Sequence, residues 1–344
     1  MIPWRQKHVL QLLAGVAICA LVLGIFFYLT SSNEPSYQGK LLSAWIAPFC
    51  QPTPKGIDAP GGPEHFEELQ PVRHAVVAIG TSALPFLTAR LKHPEPSLHI
   101  VLRELSEKQP VFAFRLTDPR VGRIQAVRAL AILGPGARAS IPDITPQLAD
   151  PMVSTHAAYA LAAMGLDGAR VLVDELTNKS AVVRTECAGA FIFYSQQITA
   201  TIGIESAYPK LADVPSTLLI TGLTRIAQDP STPFRMSAVQ RLASLGAAAS
   251  NAVPALLAFI NDSSPVVRRV TIRALGQIKA QPDIVIPALT NALNTADSGT
   301  RMAAIAALFE FGYNVPGESL LPTHPGSNDF IPNERLFRPS VRIK

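Results

Sequence analysis

Two kinds of apolar pattern divide the chain. Residues 9–29 form a continuous apolar run with Gln11 as the one strongly polar side chain. From residue 64 onward the apolar positions recur in short blocks at helical spacing, each block closed by glycine or proline. At ~1.5 Å of rise per residue the first run is long enough to cross the ~30 Å hydrocarbon core of a bilayer. Arg5 and Lys7 stand just before it, which predicts a cytoplasmic N-terminus (1–8) and export of everything after residue 29. No A-x-A cleavage site follows Tyr28 and no small residue precedes Cys19 as in a lipobox, so the reading is an uncleaved anchor.

The blocks after residue 64 are repeats of one another. Taking Leu130 of RALAILG as reference, the equivalent positions are Val76, Leu161, Phe191, Leu242, Leu275 and Leu308. Most intervals are 30–33 residues, with two longer ones of 54 (Val76 to Leu130) and 51 (Phe191 to Leu242). Four residues before the reference stands a mostly small residue: Ala126, Ala157, Cys187, Ala238, Thr271 or Ala304. The two positions make an i, i+4 stripe on one helix face. Four residues after it comes Gly80, Gly134, Gly165, Gly246 or Gly312, where a helix end favours a left-handed residue. A second helix follows, with Pro85, Pro142, Pro254 or Pro287 expected in its first turn. Its buried stripe is Leu87 and Leu91, Ile144 and Leu148, Leu256 and Ile260, or Leu289 and Leu293. A helix pair of about ten residues per helix cannot bury its apolar face alone, so the pairs must stack. The expected fold is all-α: a right-handed α-solenoid of about seven helix–turn–helix units over residues 64–313, preceded by one transmembrane helix.

Three segments resemble HEAT repeats. One is residues 262–278, in which Asp262, Ser263 and Ser264 lead into PVVRRVTIRALGQI. The others are DPRVGRIQAVRALAILGPGARASIPDITPQLAD (118–150) and FRMSAVQRLASLGAAASNAVPALLAFIND (234–262). The resemblance is to the short bacterial kind, also found in phycobilisome-lyase-like proteins. It implies a solenoid used for protein–protein contact. Two other uses come with it: an enzyme-associated role handling tetrapyrroles, and nucleic-acid binding. YQGKLLSAWI (37–46) resembles a lead-in of membrane-anchored bacterial proteins of this type.

Seven residues before the reference stands Arg123, Arg184, Arg235, Arg268 or Arg301. This position lies on the buried stripe, at the helix end where a cation meets the wrong pole of the dipole. A charge there needs a partner. Asp118, Asn178, Asp229, Asp262 and Asp297 precede these arginines by four to six residues, and each can cap the helix while accepting from a guanidinium in the same or the adjacent repeat. Such a ladder matches the Asp–Arg pairs for which HEAT-type repeats are known. Arg268 is therefore read as structural, with Asp262 as its expected mate. Arg269 and Arg273 fall off the stripe and are read as surface charge.

Composition changes this picture little. Charged residues are 16% and the net charge is +5, too mild to argue for nucleic acid. The three cysteines (Cys19, Cys50, Cys187) do not form a disulfide framework. His65, His74, His93 and His99 lie near Glu64, Glu67 and Glu68, but no pair has zinc-ligand spacing with a third ligand. No catalytic constellation, metal site or cofactor is expected. Partner contact is assigned to residues off the buried stripes: Thr88, Arg90, Thr145, Gln147, Phe259, Thr290 and Asn291, with Arg269 and Arg273 as a minor basic surface. Residues 30–63 read as a linker around one short helix. Residues 314–344, with Arg335, Arg338, Arg342 and Lys344, read as an extended tail able to serve as a docking peptide. The expectation is a membrane-anchored scaffold for a protein partner.

Overall fold

The computed structural model describes residues 34–50, 69–92, 119–196, 215–295, 297–315 and 338–339. The membrane segment expected at 9–29, Asp118, and His8, His65, His93, His99 and His324 lie outside them. The chain divides into two units, residues 1–143 and 144–344.

The first unit opens with a short hairpin of β1 (Ser36–Tyr37) and β2 (Lys40–Leu41), followed by α1 (Leu42–Ile46). α2 (Gln70–Ile79) and α3 (Leu84–Lys92) are a helix pair, and α4 (Pro119–Leu133) packs against both. The stretch expected as a linker is in part core. Leu42 and Ile46 are fully buried and Phe49 nearly so. α1 packs on α2 and α4. Gln125 Nε2 donates to the Ala47 carbonyl at 3.3 Å, and Arg128 Nη1 to the Phe49 carbonyl at 2.5 Å. The Arg128 guanidinium also lies 5.0 Å from the Phe49 ring centroid. Residues 34–50 therefore close one end of this unit's apolar face, because α2 and α4 leave a surface that Leu42, Ile46 and Phe49 cover.

Residues 70–92 are long and apolar enough to pass as a membrane span by length and composition. The backbone says otherwise. Gly80 takes φ 65° and ψ −147°, ending α2. The two halves fold into a helix pair that buries Val72, Ala75, Val76, Leu87 and Leu91. No other described helix is long and apolar enough to cross a membrane.

The second unit is a two-layer stack. α5 (Ile141–Ile144) straddles the boundary. The first helices are α6 (Ser154–Ala163), α8 (Ala181–Gln196), α10 (Arg235–Ser244), α12 (Pro265–Ile278) and α14 (Ser298–Glu310), each packed on the next. The second helices are α7 (Leu166–Glu175), α9 (Ser216–Gln228), α11 (Val253–Leu257) and α13 (Pro282–Ala292). Every reference residue, from Val76 to Leu308, is fully buried, as is every small residue four positions before Leu130 and those after it. Cys187 is one of these, and burial pushes its thiol up to about 12, with Glu175 and Glu186 adding to the shift. It is packing, not a nucleophile.

Second-helix lengths depart from the ten-residue expectation, for reasons visible in the prolines. α5 stops after four residues and gives way to a 3₁₀ turn, Thr145–Ala149. Pro146 has no N–H to donate to the Pro142 carbonyl, so the α-helical ladder ends there. Pro287, expected in a first turn, sits inside α13, which begins at Pro282. The 51-residue interval holds the long α8 and α9, with residues 197–214 outside the described set.

All five closing glycines have positive φ, between 55° and 87°. The α12 repeat has no glycine there, and Lys279 also takes a positive φ, in the left-handed helical region at φ 51°, ψ 41°. A side chain in that region costs ~1 kcal/mol. Lys279→Gly is expected to raise stability by about 0.5–1 kcal/mol, read as a shift in urea midpoint. A lower midpoint would show that the lysine side chain has a compensating contact.

Beyond α14 the chain enters β3 (Tyr313–Asn314), which pairs antiparallel with β4 (Arg338–Pro339), Tyr313 opposite Pro339 and Asn314 opposite Arg338. The tail thus returns to the end of the array at these two residues. Arg335, Arg342 and Lys344 lie outside the described residues.

Candidate functional site

The loops before the first helices repeat one local device. In each, an Asp or Asn side chain accepts from the backbone N–H two residues on. Asp150 accepts from Met152 at 3.0 Å, Asn178 from Ser180 at 2.8 Å, and Asp229 from Ser231 at 2.9 Å. Asp262 accepts from Ser264 at 2.9 Å and Asp297 from Gly299 at 3.1 Å. These Asx turns satisfy an N–H at a helix entrance.

The second carboxylate oxygen is then free for a guanidinium, and it comes from the preceding repeat. Arg184 Nε donates to Asp229 Oδ2 at 2.7 Å, and Arg235 Nη2 to Asp262 Oδ2 at 2.8 Å. Arg268 Nη2 stands 3.5 Å from Asp297 Oδ2. Each arginine also donates backward to main-chain carbonyls ahead of its own helix, in the preceding loop or, for Arg235, in the last turn of α9. Arg184 Nη1 reaches Asn178 and Lys179, Arg235 Nε reaches Ala227, and Arg268 Nη1 reaches Asp262 and Ser263. Arg301 Nη1 reaches Thr295 at 2.7 Å. Arg235 further lies 5.3 Å from the Phe259 ring centroid. Each rung therefore joins two consecutive loops. The expected mate of Arg268 is corrected: it takes the main-chain carbonyl of Asp262, while the Asp262 side chain belongs to Arg235. Arg123 sits half-buried on α4 in the first unit.

One rung is missing, and both of its halves are missing together. The arginine position of α6 is occupied by Ser154, which is buried. The loop that follows carries Asn178, not aspartate. An uncompensated carboxylate in this half-buried setting would be costly. The amide keeps the turn and drops the charge.

The carboxylates are held below their ordinary range. Burial pushes Asp229 up, but hydrogen bonds from Arg184 and Ser231 outweigh it and bring it down. Burial likewise opposes, and the Ser264 N–H and Arg235 overcome, at Asp262. At Asp297 the Thr300 hydroxyl leads, with Gly299, Arg269 and Arg268 assisting. A depressed folded-state carboxylate contributes stability above its unfolded value of about 3.9, and that contribution is lost as pH falls through the folded value. Melting temperature should be flat above about pH 5 and should fall below about pH 4, with the fall shallower in Asp262→Asn. An equally steep fall in that variant would remove Asp262 from the account.

The residues assigned to partner contact do not all face solvent. Thr88 donates to the Leu84 carbonyl and Thr290 to the Ile286 carbonyl, both back onto their own helices at 2.8 Å. Thr290 and Gln147 are buried, Thr145 is half-buried, and Phe259 lies under Arg235. Arg90 is half-buried with its guanidinium 5.2 Å from the Phe86 ring centroid; burial pushes its pKa down. Arg269, expected as free surface charge, reaches Asp297 Oδ2 at 3.5 Å. Gly299 permits this, since a Cβ there would stand 2.8 Å from Arg269 Cδ. Arg273 and Asn291 are exposed.

Asn291 instead joins a recess of about 230 Å³ between the ends of α12, α13 and α14, polar at Asn261, Arg268, Asn291, Asn294, Thr295 and Thr300. Asn261 and Asn294 stand 33 residues apart at one repeat position, directly after the stripe residues Ile260 and Leu293, and neither was expected as a site residue. Among the described residues no group of three His, Cys, Asp or Glu side chains is placed to hold a metal ion.

Residues 220–309 match the family model described as HEAT repeats. No curated protein matches the chain. Among solved structures the chain is similar to an engineered protein at 20% identity, covering 61% of this chain and 96% of that one, with a TM-score of 0.35. It is similar also to a designed armadillo repeat protein in complex with the peptide (KR)4, at 16% identity over 66% of this chain and 99% of that one, with a TM-score of 0.36.

Proposed function

We propose that the chain is a scaffold for a protein partner, held at a membrane by residues 9–29 with its N-terminus cytoplasmic and its repeats on the exported side, and performing no catalysis itself. The observation that carries the reading is the recurrence of exposed apolar side chains on the first helices. Met236 and Met302 occupy the same repeat position, as do Val182 and Val266, and all four are exposed. Phe309, on the same helix as Met302, is 70% exposed. Large apolar groups held out in water on alternate repeats fit a surface that another protein covers. Arg184 and Arg235 are occupied within the array, which leaves this apolar surface as the broader candidate.

The test uses the full chain in its native membrane, with a photo-crosslinking residue at position 302 or 309 and a control at exposed position 273. A discrete protein adduct at 302 and 309, lost on Met236→Asp, supports the scaffold. Adducts to lipid alone, or none above the control, would contradict it. A C-terminal reporter active only outside the cytoplasm is the expected topology; a cytoplasmic reporter would overturn the anchoring and favour the nucleic-acid use.

A further inference from the structure

The three rungs differ in how completely the arginine is used. Arg184 bonds through Nε, Nη1 and Nη2, to Asp229, two carbonyls and the Ser231 hydroxyl. Arg235 bonds through Nε and Nη2 at 3.1 and 2.8 Å. Arg268 donates only through Nη1, to the Asp262 and Ser263 carbonyls. Among the described residues its Nε makes no hydrogen bond, and its Nη2 has only the 3.5 Å approach to Asp297. That carboxylate is also divided: Arg269 takes the same oxygen at the same distance, and Thr300 donates to it at 2.5 Å. Elsewhere one guanidinium meets one aspartate; here two guanidinium groups share one.

Arg268 is also the ladder arginine that lines the 230 Å³ recess. The rest of the rim is donor-rich. The carboxamides of Asn261, Asn291 and Asn294 make no hydrogen bond within the described residues, and all three are exposed. Ile260 and Ala292, both buried, supply its apolar lining. A recess with spare guanidinium N–H groups, a surplus cation and three free amides selects a planar anion of carboxylate size.

We propose that this recess receives a glutamate or aspartate side chain from the partner protein, its carboxylate meeting the unused edge of Arg268 and its flanking backbone meeting the asparagine amides. This rests on the scaffold reading and adds the chemistry of one contact. It also gives Arg269 a purpose: by drawing on Asp297, it keeps Arg268 from being fully neutralised.

The test is calorimetric titration of the full chain in detergent at low salt with an acetylated, amidated glutamate-containing hexapeptide and its glutamine counterpart. The glutamate peptide is expected to bind at least tenfold more tightly. Asn291→Ala with Asn294→Ala, and separately Arg269→Ala, should each weaken it at least fivefold without lowering the melting temperature by more than a degree or two. Arg268 is not the probe, since its loss also opens a rung. Equal affinity for the two peptides, or unchanged affinity in both variants, overturns the proposal. So does competition by free glutarate as strong as by the peptide, which would assign the recess to a small dicarboxylate. The scaffold reading fails separately, through the crosslinking at 302 and 309.

Discussion

Asp262→Ala is expected to lower the stability of the array by about 3 kcal/mol. This carboxylate has two duties. One oxygen holds the Ser264 N–H at the entrance of α12, and the other holds Arg235 Nη2 at 2.8 Å. The side chains are 12% and 20% exposed, so the pair is mostly withdrawn from water. Its removal leaves Arg235 half-buried with one carbonyl and an aromatic face for company. Breaking such a pair costs more than its formation gains, because the surviving charge is stranded. Loss of the turn contributes ~1 kcal/mol of the total. For a unit of this size the fall in melting temperature should be about 10 °C. Asp262→Asn keeps the turn and should lose less. An unchanged melting curve for the alanine variant would mean that the rung contributes nothing.

Gly168→Ala should be at least as damaging, about 3 kcal/mol or more, for a different reason. Gly168 stands in the first turn of α7, where that helix crosses the end of α6. A Cβ placed on it would lie 1.7 Å from the Leu161 carbonyl oxygen and 2.6 Å from its carbon. These are backbone atoms of a fully buried residue, so no side chain can swing aside to make room. The helices must separate, and the core around Leu161 and Leu172 opens with them. Gly122 is the control: a Cβ there meets nothing within 4 Å, and Gly122→Ala should be neutral or slightly stabilising. Urea unfolding of the two variants side by side separates crowding from helix propensity; equal midpoints would contradict the close crossing.

The repeat grammar was legible because it is local. The reference residue, the small residue four before it and the glycine four after it are fixed by one helix's own period, and they landed in the core and at the left-handed turns. Lys279 escaped because the backbone position, not the glycine, is what the turn requires. The arginine ladder was half legible. Spacing marked both partners and left the same and the adjacent repeat open, but it does not say that an arginine skips the aspartate six residues away for one 27 to 45 residues on. That choice is made by the stacking distance between helices. Thr88 and Thr290 misled because a hydroxyl that returns to a carbonyl four residues back looks polar in sequence yet faces its own helix. The recess at Asn261 and Asn294 was missed for another reason: the two share one repeat position, but spacing alone does not say that they meet Arg268 and Thr300 across neighbouring loops. Residues 34–50 read as a linker because their prolines and serines hide the three apolar anchors between them.

The most direct test is a double-mutant cycle on Arg235 and Asp262, each to alanine and both together, read by urea unfolding. If the arginines are struts between consecutive loops, the coupling energy should exceed about 1 kcal/mol. Additive losses, with coupling within about 0.3 kcal/mol of zero, would contradict it and return these arginines to the surface as candidate ligand contacts.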